Sequence, residues 1–317
     1  MNRLRVLNMA ETDLFPDLWE PLAGLAEVVT VPAEAQVLAD LLPDFDAYFA
    51  TLHARLTADM IAAAPRLRVV ATPSTGLDHL DLDAMREHGV ALLSLKDDTE
   101  FLDRITATAE MAWGLLLAVV RKLPWSFAAA QRGEWARDRF RGMQLSGKTL
   151  GILGHGRLGR IVAEYGKAFR MNVLACDVRP VAAAPGVRLV DLDTLLREAD
   201  VLSVHLHLTE ANRHFLDAAA FARMKPGAIL LNTSRGGVVD ETALLAALGS
   251  GQLGGAGLDV IEGEWREDLA DHPLIRYANT HENLVISPHT GGVTLESQRL
   301  TAAHMIAKLA RFLEGLQ

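Results

Sequence analysis

Hydrophobic and polar positions alternate along the chain in two distinct rhythms. Short apolar runs at Arg5–Met9, Ala47–Ala50, Arg68–Thr72 and Ala91–Leu95 have the length and flanks of buried strands. Between them, Leu14–Ala26, Thr57–Ala64 and Leu82–Glu87 carry helical spacing. From Glu100 to Gln131 the helical rhythm runs longer and is expected to break at Pro124. A second series of strands follows at Thr149–Leu153, Val173–Cys176, Val201–Val204, Ala228–Leu231, Gly255–Asp259 and Val285–Ser287. The stretch Thr294–Leu316 reads as one closing helix. Strands that alternate with helices imply βαβ units and parallel sheets, so the expected class is α/β, with two doubly wound domains. Residues 1–100 with the tail 289–317 are expected to form one domain, and 101–288 the other. A cleft between two such lobes is the expected place for a small ligand.

Composition narrows the function. Of 317 residues, 50% are hydrophobic and 22% charged, which suits a large core. Lys and Arg number 31 against 40 Asp and Glu, a net charge of -9, so no nucleic acid and no membrane surface is expected as a partner. The single cysteine, Cys176, excludes an intrachain disulfide and fits a reducing compartment. The first residues carry no signal-peptide pattern, and Met111–Val120 is too short to span a bilayer, so a cytoplasmic location is expected.

The clearest motif is Gly154-His155-Gly156-Arg157-Leu158-Gly159, a GxGxxG sequence between an apolar strand and a helix at Leu158–Phe169. In that setting Gly154 permits the tight turn, Gly156 lets backbone approach a pyrophosphate, and Gly159 allows close helix–strand packing. The helix N-terminus then offers unsatisfied N–H groups to the phosphates. Asp177, at the end of the next strand, suits the adenosine ribose hydroxyls and favours NAD, while Arg179 beside it leaves NADP open. Gly142–Thr149 matches the GxxxxGK[ST] spacing of a phosphate loop, but Lys148 and Thr149 lead into a strand rather than a helix, so that reading is rejected.

Three later segments each end a strand of the second series: Asn232-Thr233-Ser234-Arg235-Gly236, Gly257-Leu258-Asp259 through Glu264, and Ser287-Pro288-His289-Thr290. Strand ends collect on one edge of an open α/β sheet, which is where ligands bind. In this order behind the dinucleotide loop, the segments resemble the NAD-dependent D-isomer-specific 2-hydroxyacid dehydrogenase family over essentially the whole chain. The resemblance implies Rossmann- and flavodoxin-like domains, NAD as cofactor, a small 2-hydroxyacid or 2-keto acid as substrate, and a homodimer joined through the Glu100–Gln131 region. It implies Arg235, Glu264 and His289 as the catalytic set. Cofactor contacts fall to the residues from Gly154 to Gly159 and to Asp177, His205, Thr233 and Asp259, the last holding the nicotinamide carboxamide. The residue types suit reduction of a keto acid. His289 can give the carbonyl oxygen its proton, Glu264 would orient the imidazole and favour its charged form, and Arg235 can clamp the substrate carboxylate.

In the first series, Ser74-Thr75-Gly76-Leu77-Asp78 is similar to the family loop whose backbone N–H groups bind the substrate carboxylate, which makes Thr75 and Gly76 candidate contacts. A turn capped by Asp78 is the alternative. His53, Arg55 and Lys96 are further candidates for setting specificity. The chain departs from the family pattern at Ser94–Glu100, Met111, His207 and Trp265, which leaves the substrate open. His205 and His207 share a strand face but lack an evident third ligand, so no metal is expected. A binding protein that senses NAD(H), of corepressor type, and a phosphoglycerate-type dehydrogenase are the competing readings.

Overall fold

Short Val-, Leu- and Ala-rich runs become strands where helices can cover both faces. Twelve form among residues 3–182, 184–266 and 268–316, which the computed structural model describes. They belong to two compact units, Met1–Ile105 with Val293–Gln317, and Thr106–Gly292. In the first, β1 (Leu4–Asn8), β2 (Ala26–Thr30), β3 (Ala47–Phe49), β4 (Val69–Ala71) and β5 (Ala91–Leu93) pair in parallel in the order β2-β1-β3-β4-β5. This is the doubly wound order of flavodoxin-like sheets.

The helix expected over Leu14–Ala26 does not form. Pro16–Leu22 is a 3-10 helix, and Ala26 begins β2. Pro21 withdraws a backbone donor, and Val28, Val29 and Thr30 favour an extended chain. The closing helix spans Leu295–Glu314 and starts where the Ser297 N–H donates to Thr294 Oγ1 at 3.1 Å. Met305, Ile306, Leu309 and Leu313, at helical spacing, are buried with Val6, Phe49 and Val69 of this unit's sheet. Lys308 and His304 of the helix both reach Asp98, at 2.9 and 3.0 Å.

The second unit holds β6 (Thr149–Leu153), β7 (Asn172–Cys176), β8 (Val187–Leu189), β9 (Val201–Val204), β10 (Ala228–Asn232), β11 (Leu253–Leu258) and β12 (Leu284–Ile286). All pairs are parallel, in the order β12-β11-β10-β9-β6-β7-β8. The chain winds one way from β6 to β8 and the other from β9 to β12, so the switch point lies between β6 and β9. Thr149 opens β6, as the rejection of the phosphate-loop match requires.

The Ala107–Val120 helix lies on this sheet with Ala112 and Leu116 fully buried. Glycine in β11 permits the close approach: a Cβ at Gly255 would fall 2.6 Å from Val119 Cγ1, and one at Gly257 2.9 Å from Leu115 Cβ. The long helical region breaks at residues 103–106 and again at Lys122, in the left-handed region at φ 52°, and not at Pro124. Pro124 falls in the first turn of the next helix, Leu123–Gln131, where its missing N–H costs nothing. Among the described residues, no helix is long and apolar enough to cross a membrane.

Candidate dinucleotide and active site

At the switch point the loops after β6 and β9 touch. The His205 N–H donates to the Leu153 carbonyl at 2.8 Å, and Gly154 turns at φ 95°. A Cβ on Gly154 would fall 2.5 Å from the His205 carbonyl oxygen, and one on Gly159 2.1 Å from the Gly154 carbonyl oxygen. Both glycines are therefore required by the chain itself. Gly156 differs, since within 4 Å its added Cβ would meet only Arg179 Nη2, at 3.6 Å. Gly156 precedes the Arg157–Ala168 helix without capping it by a side chain. An open cradle before uncapped helix amides fits a dinucleotide pyrophosphate.

Asp177 closes the far side of this cradle. Its carboxylate accepts the His155 N–H at 3.0 Å and the Arg179 backbone N–H at 2.9 Å, together with two guanidinium bonds from Arg179 at 3.1 and 3.0 Å. Hydrogen bonding to Arg179 holds this carboxyl below the usual range despite its burial. The His155 side chain is buried, and neither ring nitrogen has a hydrogen-bond partner among the described residues. Burial, with Arg160 nearby, lowers its pKa and keeps it neutral. Burial likewise pushes the His205 imidazole down to about 4, and its Nε2 lies 2.9 Å from Ser203 Oγ. Among the described residues, no group of three or more His, Cys, Asp or Glu is arranged to hold a metal.

Arg235, Glu264 and His289 follow β10, β11 and β12, three neighbours in the sheet. Buried Asn232 shapes the first loop. Its Oδ1 accepts the Ser234 N–H and hydroxyl at 3.0 and 2.7 Å, while its Nδ2 donates to the Arg235 carbonyl at 2.9 Å. Thr233 is buried in the same turn. Gly236 then packs directly on the second loop, for its added Cβ would lie 2.1 Å from the Ile261 carbonyl carbon.

His289 has φ 53°, a left-handed conformation that only the surrounding structure can hold in a residue other than glycine. Its N–H donates to the Asp259 carbonyl at 2.9 Å. The Asp259 carboxylate, buried, accepts the Ser287 hydroxyl at 2.6 Å and the N–H groups of Thr290 and Gly291 at 2.9 and 2.7 Å. Asp259 is thus the brace of the histidine loop, a role that sequence pattern did not reveal. With the backbone fixed, His289 Nδ1 meets Glu264 Oε1 at 2.6 Å, both side chains being largely buried. The pairing leaves Nε2 as the ring nitrogen available to another group.

A second set of residues, also missed from the sequence, pins the Glu264 loop. The Glu262 N–H donates to Glu241 Oε1 at 2.6 Å, and the Glu262 carbonyl lies 3.1 Å from His272 Nε2. The Glu262 carboxylate pairs with Arg213 and His214. The His272 side chain accepts the Leu274 N–H through Nδ1, which places the ring proton on Nε2. Burial pushes the Glu241 carboxyl up. Beyond the clamp, the Trp265 indole stacks beside the His289 ring with centroids 5.9 Å apart and planes 23° from parallel.

In the other unit, Thr75 and Gly76 follow β4 at its C-terminal end and are half-buried. The Ser74 hydroxyl donates to the Gly76 carbonyl at 2.8 Å and shapes this turn. His53, after β3, lies 3.8 Å from Glu11, and Lys96 is exposed after β5.

Comparison with known proteins follows the same lines. Residues 113–291 match the profile described as D-isomer specific 2-hydroxyacid dehydrogenase, NAD binding domain. A hydroxypyruvate reductase of Thermotoga maritima is 35% identical over 284 residues, 89% of this chain and 90% of that protein. A D-3-phosphoglycerate dehydrogenase of Methanocaldococcus jannaschii is 35% identical over 296 residues. That match takes in 92% of this chain but 54% of the relative, so the chain spans about half its length. The structure of a D-lactate dehydrogenase of Aquifex aeolicus, complexed with NAD and lactic acid, superposes with a TM-score of 0.86 at 28% identity, covering 98% of this chain and 96% of that one.

Proposed function

Because the chain belongs to the D-isomer specific 2-hydroxyacid dehydrogenase family, we propose that it interconverts a 2-keto acid and a D-2-hydroxyacid with NAD(H). The observation that carries the proposal is the His289–Glu264 pair at 2.6 Å, beyond the ends of β12 and β11, of which β11 lies beside β10, the strand before Arg235. When bound, NADH supplies the hydride. In the loop from Gly154 to Gly159 the N–H groups of Gly154 and His155 are engaged by Cys176 and Asp177, so those from Gly156 onward would hold its pyrophosphate, and Asp177 the adenosine ribose. His205, Thr233 and Asp259 complete the proposed cofactor contacts.

Arg235 clamps the substrate carboxylate and polarises the carbonyl in this reading, since its guanidinium is permanently charged and forked. His289 Nε2 gives the carbonyl oxygen a proton in reduction and takes it back in oxidation. Glu264 fixes the imidazole through Nδ1, so that the donating nitrogen cannot turn away. The proposal keeps Thr75 and Gly76 as contacts to the substrate carboxylate through their N–H groups. It also includes a cytoplasmic homodimer. Within the Glu100–Gln131 region, Ala112 and Leu116 are buried on the protein's own sheet, while the 62% exposure of Phe127 supports a subunit contact there.

The test is NADH oxidation with a panel of 2-keto acids, beside His289→Ala and Arg235→Ala. Each variant is expected to lose roughly 10²- to 10⁴-fold in turnover while still binding NADH. Tight NADH binding with no turnover on any substrate would overturn the enzyme reading in favour of a dinucleotide-sensing protein.

A further inference from the structure

We propose that Trp265 walls the part of the active site that receives the keto acid's side chain, selecting uncharged, carbon-rich substituents over phosphorylated ones. The proposal deepens the reading above and rests on it.

With Nδ1 of His289 bound to Glu264, proton exchange falls to Nε2, and a substrate carbonyl oxygen must come within about 3 Å of that atom. A 2-keto acid has two other groups on the reacting carbon. The carboxylate is taken by Arg235, which leaves the side chain to lie against whatever flanks the imidazole. One flank is the indole of Trp265, nearly parallel to the ring with centroids 5.9 Å apart. The indole is 50% exposed and lies beside the proton donor. A substituent one or two bonds from the carbonyl carbon is within reach of that indole.

The loop that carries the indole is held in place, and the charges around it are already paired. Three residues upstream, the Glu262 backbone is held at its N–H by Glu241 and at its carbonyl by His272, and the Ile261 N–H donates to Glu264 Oε2 at 3.3 Å. The carboxylates of this loop are paired, Glu262 with Arg213 and His214, and Glu264 with His289. Its cation, Arg266, is engaged by Asp268 at 2.7 Å. A phosphate dianion arriving here would find Arg213 and Arg266 already engaged by carboxylates, whereas an alkyl or aryl group would cover exposed indole.

The experiment compares the wild-type protein with Trp265→Ala and Trp265→Phe on glyoxylate, pyruvate, 4-methyl-2-oxopentanoate, phenylpyruvate and phosphohydroxypyruvate. Glyoxylate has no carbon side chain and serves as the internal reference. In Trp265→Ala, kcat/KM is expected to fall at least about ten-fold for the two carbon-rich substrates, mainly through KM, and to stay within about two-fold for glyoxylate. Phenylalanine should restore most of the loss. NADH binding and circular dichroism establish that each variant is folded. An equal loss on every substrate, glyoxylate included, would overturn the proposal and make Trp265 a support for His289 alone. So would a wild-type preference for phosphohydroxypyruvate. No turnover of any keto acid by the wild type would instead overturn the activity itself, and the role of Trp265 with it.

Discussion

Alanine at position 236 would place a methyl group where the backbone of the neighbouring loop already lies. The added Cβ would fall 2.1 Å from the Ile261 carbonyl carbon, 2.3 Å from the Glu262 nitrogen and 2.5 Å from the Ile261 oxygen. None of these atoms can rotate aside, so one loop must retreat by roughly 1.3 Å or more before the contacts reach van der Waals distance. Overpacking of this kind costs about 1–3 kcal/mol of stability. The larger effect falls on chemistry, because the two loops carry Arg235 and Glu264, and a displacement of about 1 Å in a catalytic group lowers turnover roughly 10²-fold. Thr233 and Asp259, proposed cofactor contacts, lie on the same two loops, so NADH affinity should fall as well, but by less than turnover because the loop from Gly154 to Gly159 is a separate segment. Steady-state NADH oxidation, fluorescence titration with NADH and thermal unfolding together measure the three quantities. Gly249→Ala is the control, since nothing lies within 4 Å of its added Cβ. In that helix it should leave turnover unchanged and add about 0.4–1 kcal/mol. A Gly236→Ala protein with turnover within a few-fold of wild type and unaltered stability would refute the tight packing of these loops as a condition of activity.

Asp259→Asn puts an amide NH2 where one carboxylate oxygen now accepts an N–H of Thr290 or Gly291. One buried donor then faces another, at a cost of about 1–3 kcal/mol in urea unfolding, with a matching fall in turnover as His289 loses its brace; unchanged values in both assays would remove Asp259 from that role. Asp177→Ala should weaken NADH binding by about ten-fold and NADPH binding much less, measured by fluorescence titration, and equal effects on the two would contradict the ribose assignment. Burial holds the His205 pKa in the folded protein at about 4, below the ordinary histidine value of 6.5. The unfolded chain therefore takes up the proton first as the pH falls, so stability drops between 6.5 and about 4. His205→Gln should flatten that part of the urea midpoint against pH, and an unaltered slope would show that His205 is not the group responsible.

What the sequence disclosed was local. The strand, glycine loop and helix around Gly154 are contiguous, so their chemistry is written in one stretch of residues. Arg235, Glu264 and His289 each sit just beyond a strand, and parallel winding alone gathers such positions on one edge. The devices that fix them are not local. Asp259, after β11, reaches Thr290 and Gly291 after the neighbouring β12, while Glu241 and His272 pair with each other at 3.3 Å and both bind the backbone of Glu262. No periodicity records those meetings. The early segment failed for a different reason, since the apolar residues of Leu14–Ala26 suit a helix while Pro16 and Pro21 limit it to a 3-10 turn. The break at Lys122 was displaced because a proline within the first turn starts a helix as readily as an internal one ends it.

The order in which β10, β11 and β12 pair has a consequence for how freely this protein can be altered. Parallel strands lie roughly 4.8 Å apart, so three reactive groups mounted on consecutive rails inherit their spacing from the sheet itself. The returns of the chain, at Gly251–Gln252 and at residues 279–283, sit at the opposite ends of the same rails. Material added there, such as an epitope or a longer crossover at Gly251, whose added Cβ would meet nothing within 4 Å, leaves the reactive edge in register. One residue inserted between Asn232 and Arg235 would abolish it.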